Sequence, residues 1–187
     1  MTAFPCLETQ RLRLREITDE DAPALFAIHS NAEHMKWFGA DPLQDLDGAI
    51  GMVKLFGGWR QLANPGVRWG LELKSQPGLI GSCGLFAWSR NWHKCSLGYE
   101  LAPEAVGAGL MSEALDTIIA WGFREMALNR IEAQAHAENT ASLKLLQKLG
   151  FVQEGCLREV AYWGGRHHDL VQLSLLAAEW RSAESGT

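Results

Sequence analysis

Long hydrophobic runs are missing from this 187-residue chain. Nothing in it approaches the roughly 20 consecutive apolar residues that cross a bilayer, so no membrane span is expected. Met1 to Gln10 carries neither a basic stretch nor a long apolar one, and no secretory leader is read there. An excess of positive charge is missing too. Lys and Arg number 17 against 22 Asp and Glu, a net charge of −5, which argues against nucleic-acid binding. Cysteine is sparse: Cys6, Cys83, Cys95 and Cys156, with no CxxC. That excludes a disulfide-built mini-protein and reads as reduced thiols in a cytoplasmic protein. No metal site is expected. The nearest ligand pair is His93 and Cys95, and adjacent His167 and His168 on an extended segment would point to opposite faces. Repeats, low-complexity blocks and linkers are also absent. The chain therefore reads as one domain over 1–181 with a short polar tail at 182–187. At 47% apolar and 21% charged residues the composition is ordinary, and a domain of this size buries about 70% of its unfolded surface.

What is present is a clear sequence of periods. Arg11-Leu12-Arg13-Leu14-Arg15 alternates as a strand. Thr18 caps a helix running to about Ser30, and 45–56 forms a second helix ended by Gly57-Gly58. The turns Asn64-Pro65-Gly66 and Gln76-Pro77-Gly78 frame strands at about 67–74, 79–86 and 94–101. Met111, Leu115, Ile118, Ile119, Gly122 and Met126 make a helical stripe over 110–126. A strand at 130–136, a helix at 139–149 stopped by Gly150, and a hairpin of 152–162 with 170–176 around Gly164-Gly165 complete the pattern. A meander followed by strand–helix–strand–helix and a hairpin predicts an α+β (mixed α/β) domain.

The segment from Leu97 to Ala114 is the most informative. A strand ends near Leu101, small residues gather at Gly107, Ala108 and Gly109, and a long helix starts at once. The first turn of a helix has unpaired N–H groups and the positive end of its dipole. Glycines let an anion approach that backbone closely. The corner is thus either a phosphate cradle or merely a tight turn. It is neither GxGxxG nor a P-loop, because Met111 and Ser112 break the first pattern and no Lys follows the glycines.

With these pieces in order, the chain resembles the GNAT (Gcn5-related) N-acetyltransferases, and within them the RimJ/RimL-like ribosomal-protein N-acetyltransferase group. The resemblance runs through Leu7 to Arg15, Leu79-Ile80-Gly81, Leu97 to Leu101 and Gly107 to Ala114. It is strongest at Asn139-Thr140-Ala141-Ser142 with Leu149-Gly150-Phe151, and continues to His168-Asp169 and Glu179-Trp180. It implies a GNAT-type acyl-CoA N-acyltransferase fold: a central, mostly antiparallel twisted sheet with a splayed strand pair, flanked by helices. It also implies acetyl-CoA as co-substrate, its pyrophosphate on Val106, Gly107, Ala108, Gly109, Leu110, Met111 and Ser112. The pantetheine would lie between the strands at 97–102 and 130–136, near Leu101 and Ala102, with Asn139 and Ser142 along it. The sequence departs from the family where Val106 replaces a Gln or Arg of the loop, leaving Lys144 or Lys148 to supply positive charge.

Acetyl transfer to nitrogen needs a neutral amine and a protonated leaving thiol. An α-amine, with pKa near ~8, is roughly a tenth neutral at pH 7, and a lysine, near ~10.4, under a thousandth. Glu100, at the strand end, is the candidate base, or else an ordinary strand-end carboxylate. Ser142 is the candidate proton donor to the thiolate, or else a helix serine bonded to its own backbone. Backbone N–H groups near Leu101 are candidates to polarise the thioester carbonyl, and Tyr162 is a weaker acid candidate. Of the eight tryptophans, Trp121 and Trp180 read as packing, whereas Trp37, Trp59, Trp88 and Trp92 could wall an acceptor pocket or a dimer contact. The expected reaction is direct transfer in a ternary complex to a primary amine, by family likeness a protein N-terminus. A small-molecule amine acetyltransferase and a non-catalytic CoA-binding sensor are the alternatives, and a homodimer is left open.

Overall fold

The computed structural model describes residues 3–180, so the expected tail at 182–187 lies outside the described residues. The strands are β1 (Leu7–Glu8), β2 (Leu12–Arg15), β3 (Val67–Leu73), β4 (Gln76–Ser89), β5 (Lys94–Leu101), β6 (Arg130–His136), β7 (Val152–Trp163) and β8 (Arg166–Leu176). The helices are α1 (Ala22–His29), α2 (Ala32–Met35), α3 (Leu46–Gly58), α4 (Leu110–Glu125) and α5 (Thr140–Lys148). The strands form one sheet in the order β1-β2-β3-β4-β5-β6-β8-β7. Every neighbouring pair is antiparallel except β5 with β6, which are parallel and joined through α4. This is the mixed α+β, mostly antiparallel sheet that the resemblance implies.

The period-2 alternation of β3, β4 and β5 sorts their side chains into two layers. Trp69, Leu71, Cys83, Leu85, Leu97 and Leu101 face the core under α4, where Leu115, Ile118 and Ile119 pack on them. Helix α4 sits so close that a Cβ on Gly122 would meet Leu85 Cδ1 at 2.6 Å. The opposite face meets α1 and α3 in a second cluster containing Leu25, Ile28, Ala49, Val53 and Phe56. Asp45 starts α3 by accepting the Gly48 N–H at 2.9 Å, and Asn31 does the same for α2 through His34 N–H at 3.1 Å.

The feature that matters most is where the parallel pairing stops. β5 and β6 are bridged from Lys94↔Arg130 to Leu97↔Ala133 and no further, although β5 continues to Leu101 and β6 to His136. The sheet forks there. Ala102 N–H donates to Ile80 O at 2.8 Å, so by alternation the even residues of β5 bond to β4, and the main-chain groups of Tyr99 and Leu101 face the fork.

Candidate active site

A cavity of about 1050 Å³ passes through the fork and is lined from both faces of the sheet. On the α4–α5 side lies the glycine corner. Gly107 and Gly109 have φ of 87° and 75°, the left-handed region that glycine adopts without strain. Gly109 is the N-cap of the 16-residue α4 and offers no side-chain cap. The first helical bond is made by Glu113 N–H to Gly109 O at 3.2 Å. Among the described residues, the N–H groups before it, from Gly107 to Ser112, have no hydrogen-bond partner in the protein. Uncapped amides at the positive end of a helix dipole, with nothing within 4 Å of a Cβ at Gly107, suit a pyrophosphate.

The corner is braced from behind. Arg11 Nε pairs with Glu113 at 2.7 Å, and its Nη1 donates to Ala108 O at 2.9 Å. Arg11 N–H donates to Glu113 Oε1 at 2.8 Å, and Thr9 donates to the same oxygen. Ala108 is thus turned toward this brace rather than the cavity. Val106, Gly107, Gly109, Leu110, Met111 and Ser112 do line the cavity. Val106 is 59% exposed and brings no donor, whereas Lys148 lines the same end and Lys144 does not.

At the fork itself, Asn139 caps α5 by accepting Ser142 N–H at 3.1 Å. This sets Ser142 beside β5, where its hydroxyl meets the Tyr99 hydroxyl at 2.7 Å. Asn139, Ser142, Tyr99 and Leu101 all line the cavity. Burial pushes the Tyr99 phenol up to about 12, against the pull of Ser142. Ala102 takes a different place. Its N–H is used by Ile80, its carbonyl accepts Ala105 N–H at 2.9 Å, and its side chain is buried in the cluster under α1 and α3. Its N–H is not free for a ligand and Ala102 does not line the cavity, whereas Tyr99 and Leu101 do.

Glu100 lies on the other face of the fork and is only 5% exposed. Its register explains its partners. Gly70, Ser82 and Glu100 stand side by side across β3, β4 and β5, and so do Arg68, Gly84 and Gly98. The two glycines leave a trough for Arg68, whose Cδ lies 2.9 Å from a Cβ built on Gly84. Arg68 lies along it and donates to Glu100 Oε2, while its Nε donates to Ser82 at 2.7 Å and Ser82 donates to Glu100 Oε1. Burial works to raise the Glu100 pKa, but the Arg68 guanidinium, helped by His29 and Ser82, outweighs it and holds the carboxyl below its usual value. Phe56 and Trp59 cover the guanidinium at 5.0 and 6.0 Å.

Beyond Glu100 the cavity is walled by Trp37, Phe38, Met52, Phe56, Trp59 and Phe86. Of the four tryptophans expected to wall a pocket, Trp37 and Trp59 do line the cavity. Trp88 packs at the core edge and Trp92 is 77% exposed, both away from the cavity. Trp121 packs on Trp69 and Trp180 on Phe123, as expected of core aromatics. Tyr162 is 61% exposed and also outside the cavity. Cys83 and Cys95 are buried thiols pushed up to about 12 by burial. Among the described residues no group of three His, Cys, Asp or Glu could hold a metal ion, and no helix is long and apolar enough to cross a membrane.

The family model for the acetyltransferase (GNAT) domain matches residues 11–152. The uncharacterized N-acetyltransferase YoaA of Bacillus subtilis is 39% identical over 166 residues, 89% of this chain and 93% of that protein. The ribosomal protein uS5-alanine N-acetyltransferase of Escherichia coli is 28% identical over 185 residues, 93% of this chain and 92% of that one. The crystal structure of spermidine N-acetyltransferase from Vibrio cholerae, in complex with CoA and spermine, superposes with a TM-score of 0.78 at 22% identity, over 91% of this chain and 98% of that one. A domain match over most of the chain, on a sheet that forks beside an uncapped helix, places the protein in the GNAT superfamily as an acetyl-CoA-dependent N-acetyltransferase with RimJ/RimL-like relatives.

Proposed function

We propose that this enzyme acetylates the α-amine of a protein N-terminus, with Glu100 as the base. The observation that carries this reading is the clamp on Glu100. A carboxylate held low by Arg68 is a weak base, adequate for an amine of pKa near ~8 and poor for a lysine or polyamine near ~10. The acceptor side agrees. A polyamine carries several ammonium groups and wants several free carboxylates, yet of the three on the cavity wall Glu100 is paired with Arg68 and Glu132 with Lys94 and Arg130, which leaves Glu33 alone without an ion pair among the described residues. The remaining walls are largely aromatic. The relative that acetylates an alanine of protein uS5 gives the same direction.

Acetyl-CoA supplies an activated acyl group as a thioester. The amides of Gly107 to Ser112 would hold its pyrophosphate, with Lys148 adding charge, and Asn139 and the main chain of Tyr99 and Leu101 would border the pantetheine in the fork. Leu101 N–H, facing the fork, is placed to polarise an acyl carbonyl. Glu100 accepts a proton from the acceptor ammonium on the α1–α3 face. Ser142, itself bonded to Tyr99, donates one to the leaving sulfur on the α4–α5 face. The two proton transfers are thus kept on opposite sides of the sheet. We place this chemistry in the cytoplasm, where acetyl-CoA and nascent N-termini meet.

Thiol release from acetyl-CoA, measured with peptides bearing a free N-terminus, the same peptides Nα-blocked but containing lysine, and spermidine, tests the reading. Release with the free N-terminus alone is expected. Release with spermidine or blocked lysine peptides but not with free N-termini would overturn it.

A further inference from the structure

His29 is a buried titratable side chain beside Glu100 that the chemistry above leaves unused. It closes α1 and is 1% exposed. Neither of its ring nitrogens has a hydrogen-bond partner, which is rare for buried polar groups. Its Nε2 lies 3.7 Å from Glu100 Oε1, just beyond bonding distance. The ring rests edge-on against Phe38, with centroids 4.7 Å apart.

We propose that His29 is a proton relay behind Glu100, a positioning residue that restores the base by taking up the proton Glu100 receives. The proposal rests on Glu100 serving as the base. The acceptor ammonium gives one proton to a Glu100 carboxylate oxygen, the freed nitrogen lone pair forms the bond to the acyl carbon, and the carbon–sulfur bond breaks as Ser142 protonates the leaving sulfur. The second proton shed by the nitrogen passes through water in the cavity to replace the one Ser142 gives. The proton then passes from Glu100 to His29 Nε2, which leaves an imidazolium beside a restored carboxylate. After the products leave, it returns through Glu100 to water in the emptied cavity, which Glu100 lines and His29 does not.

Three features favour this role. Arg68 and Ser82 already stabilise the Glu100 carboxylate, so a proton placed on it is poorly held, and an imidazole is the stronger base. The C-terminal turn of α1 favours a cation at His29. Finally, the imidazolium carries an N–H on Nε2, which the neutral ring protonated at Nδ1 does not, and so can donate to Glu100. The charged and titratable groups facing His29 are Glu100 from β5, Arg68 from β3 through Glu100, and His34 from α2. Ser82 is the polar neighbour on β4, while Asp47 and Lys54 of α3 are exposed and point to solvent. The 3-10 turn before α1 contributes Asp21, which is already paired with Arg15.

The test compares the unaltered enzyme with His29→Gln, Glu100→Gln and the double variant. Each is read for kcat against pH, for CoA affinity and for thermal stability. With the relay in place, His29→Gln lowers kcat by tenfold or more, steepest on the acid side of the profile, and leaves CoA affinity unchanged. The double variant is then no slower than Glu100→Gln, because both residues act through one proton path. A pH profile of unchanged shape in His29→Gln, with Glu100→Gln impaired, overturns the relay and leaves Glu100 as the base. An unaltered profile in Glu100→Gln overturns both. Should His29→Gln not fold, ring 15N spectra of the unaltered protein decide. Nε2 must change protonation over the pH range in which kcat rises, and a ring fixed in one form throughout overturns the relay.

Discussion

Replacing Arg68 with Met probes the buried charge network by a change of stability with pH. Met keeps an unbranched apolar stem in the trough over Gly84 and Gly98 and removes the guanidinium. Arg68 is 6% exposed and Glu100 5%, so the carboxylate is left in the interior with only Ser82 and His29 beside it. Breaking one side of such a pair costs about 3–5 kcal/mol. For a chain of this size each kcal/mol lowers Tm by roughly 2–4 °C, so Arg68→Met should melt about 6–20 °C lower at neutral pH. The direction with pH follows from Glu100. In the unaltered protein its folded pKa is depressed, so its contribution is present above the unfolded pKa and is lost as pH falls through the folded value. Without Arg68, burial prevails and the folded pKa rises above the unfolded one. The variant's stability is then greatest below the unfolded pKa, near ~4.3, and is lost as pH rises. The gap in Tm between the two proteins must therefore narrow from pH 8 toward pH 4.5, as followed by calorimetry. An equal loss at every pH would show that Arg68 stabilises by packing alone and would refute the electrostatic reasoning.

Gly109→Val should separate strain from binding. A β-branched residue at φ 75° costs roughly 1–2 kcal/mol, seen as a modest fall in Tm. Loss of an amide-to-phosphate hydrogen bond, worth about 1.5–3 kcal/mol, should weaken CoA about 10- to 150-fold by calorimetry, and unchanged affinity in a folded variant would dismiss the cradle. Ser142→Ala and Tyr99→Phe should each lower kcat, by about 10²-fold if the pair delivers the proton, with little change in the KM for acetyl-CoA. Steady-state kinetics of the double variant should show no further loss, since the hydroxyls are 2.7 Å apart and act as one. Additive losses would separate them.

Much of this architecture can be read from local periods, because the elements that carry it are long. The stripe of α4, the alternation of β3 to β5 and the turn glycines all announce themselves within a dozen residues. The short elements do not: β1 has two residues and α2 four, too few to establish a period. β8 begins at Arg166, four residues before the expected 170, because Arg166-His167-His168-Asp169 is polar and lacks apolar alternation. The glycine corner and Glu100 are legible for the same local reason, a strand end meeting a helix start. Arg68, Ser82, His29 and Tyr99 are not. Arg68 looks like the solvent-facing half of an alternating strand, and only the register of three strands, 32 residues apart in sequence, brings it under Phe56 and onto Glu100. The place of Ala102 is not legible either, because strand direction alone does not say which main-chain groups a neighbouring strand takes.

The central claim is that CoA lies in the fork with its diphosphate on the main chain of α4's first turn. Amide NMR titrations of the unaltered protein with CoA and with pantetheine, which lacks the diphosphate, test it most directly. Amides at Tyr99 and Leu101 should shift with both ligands, and those from Gly107 to Ser112 strongly with CoA alone. Saturable CoA binding that leaves the 107–112 amides unmoved would contradict the account.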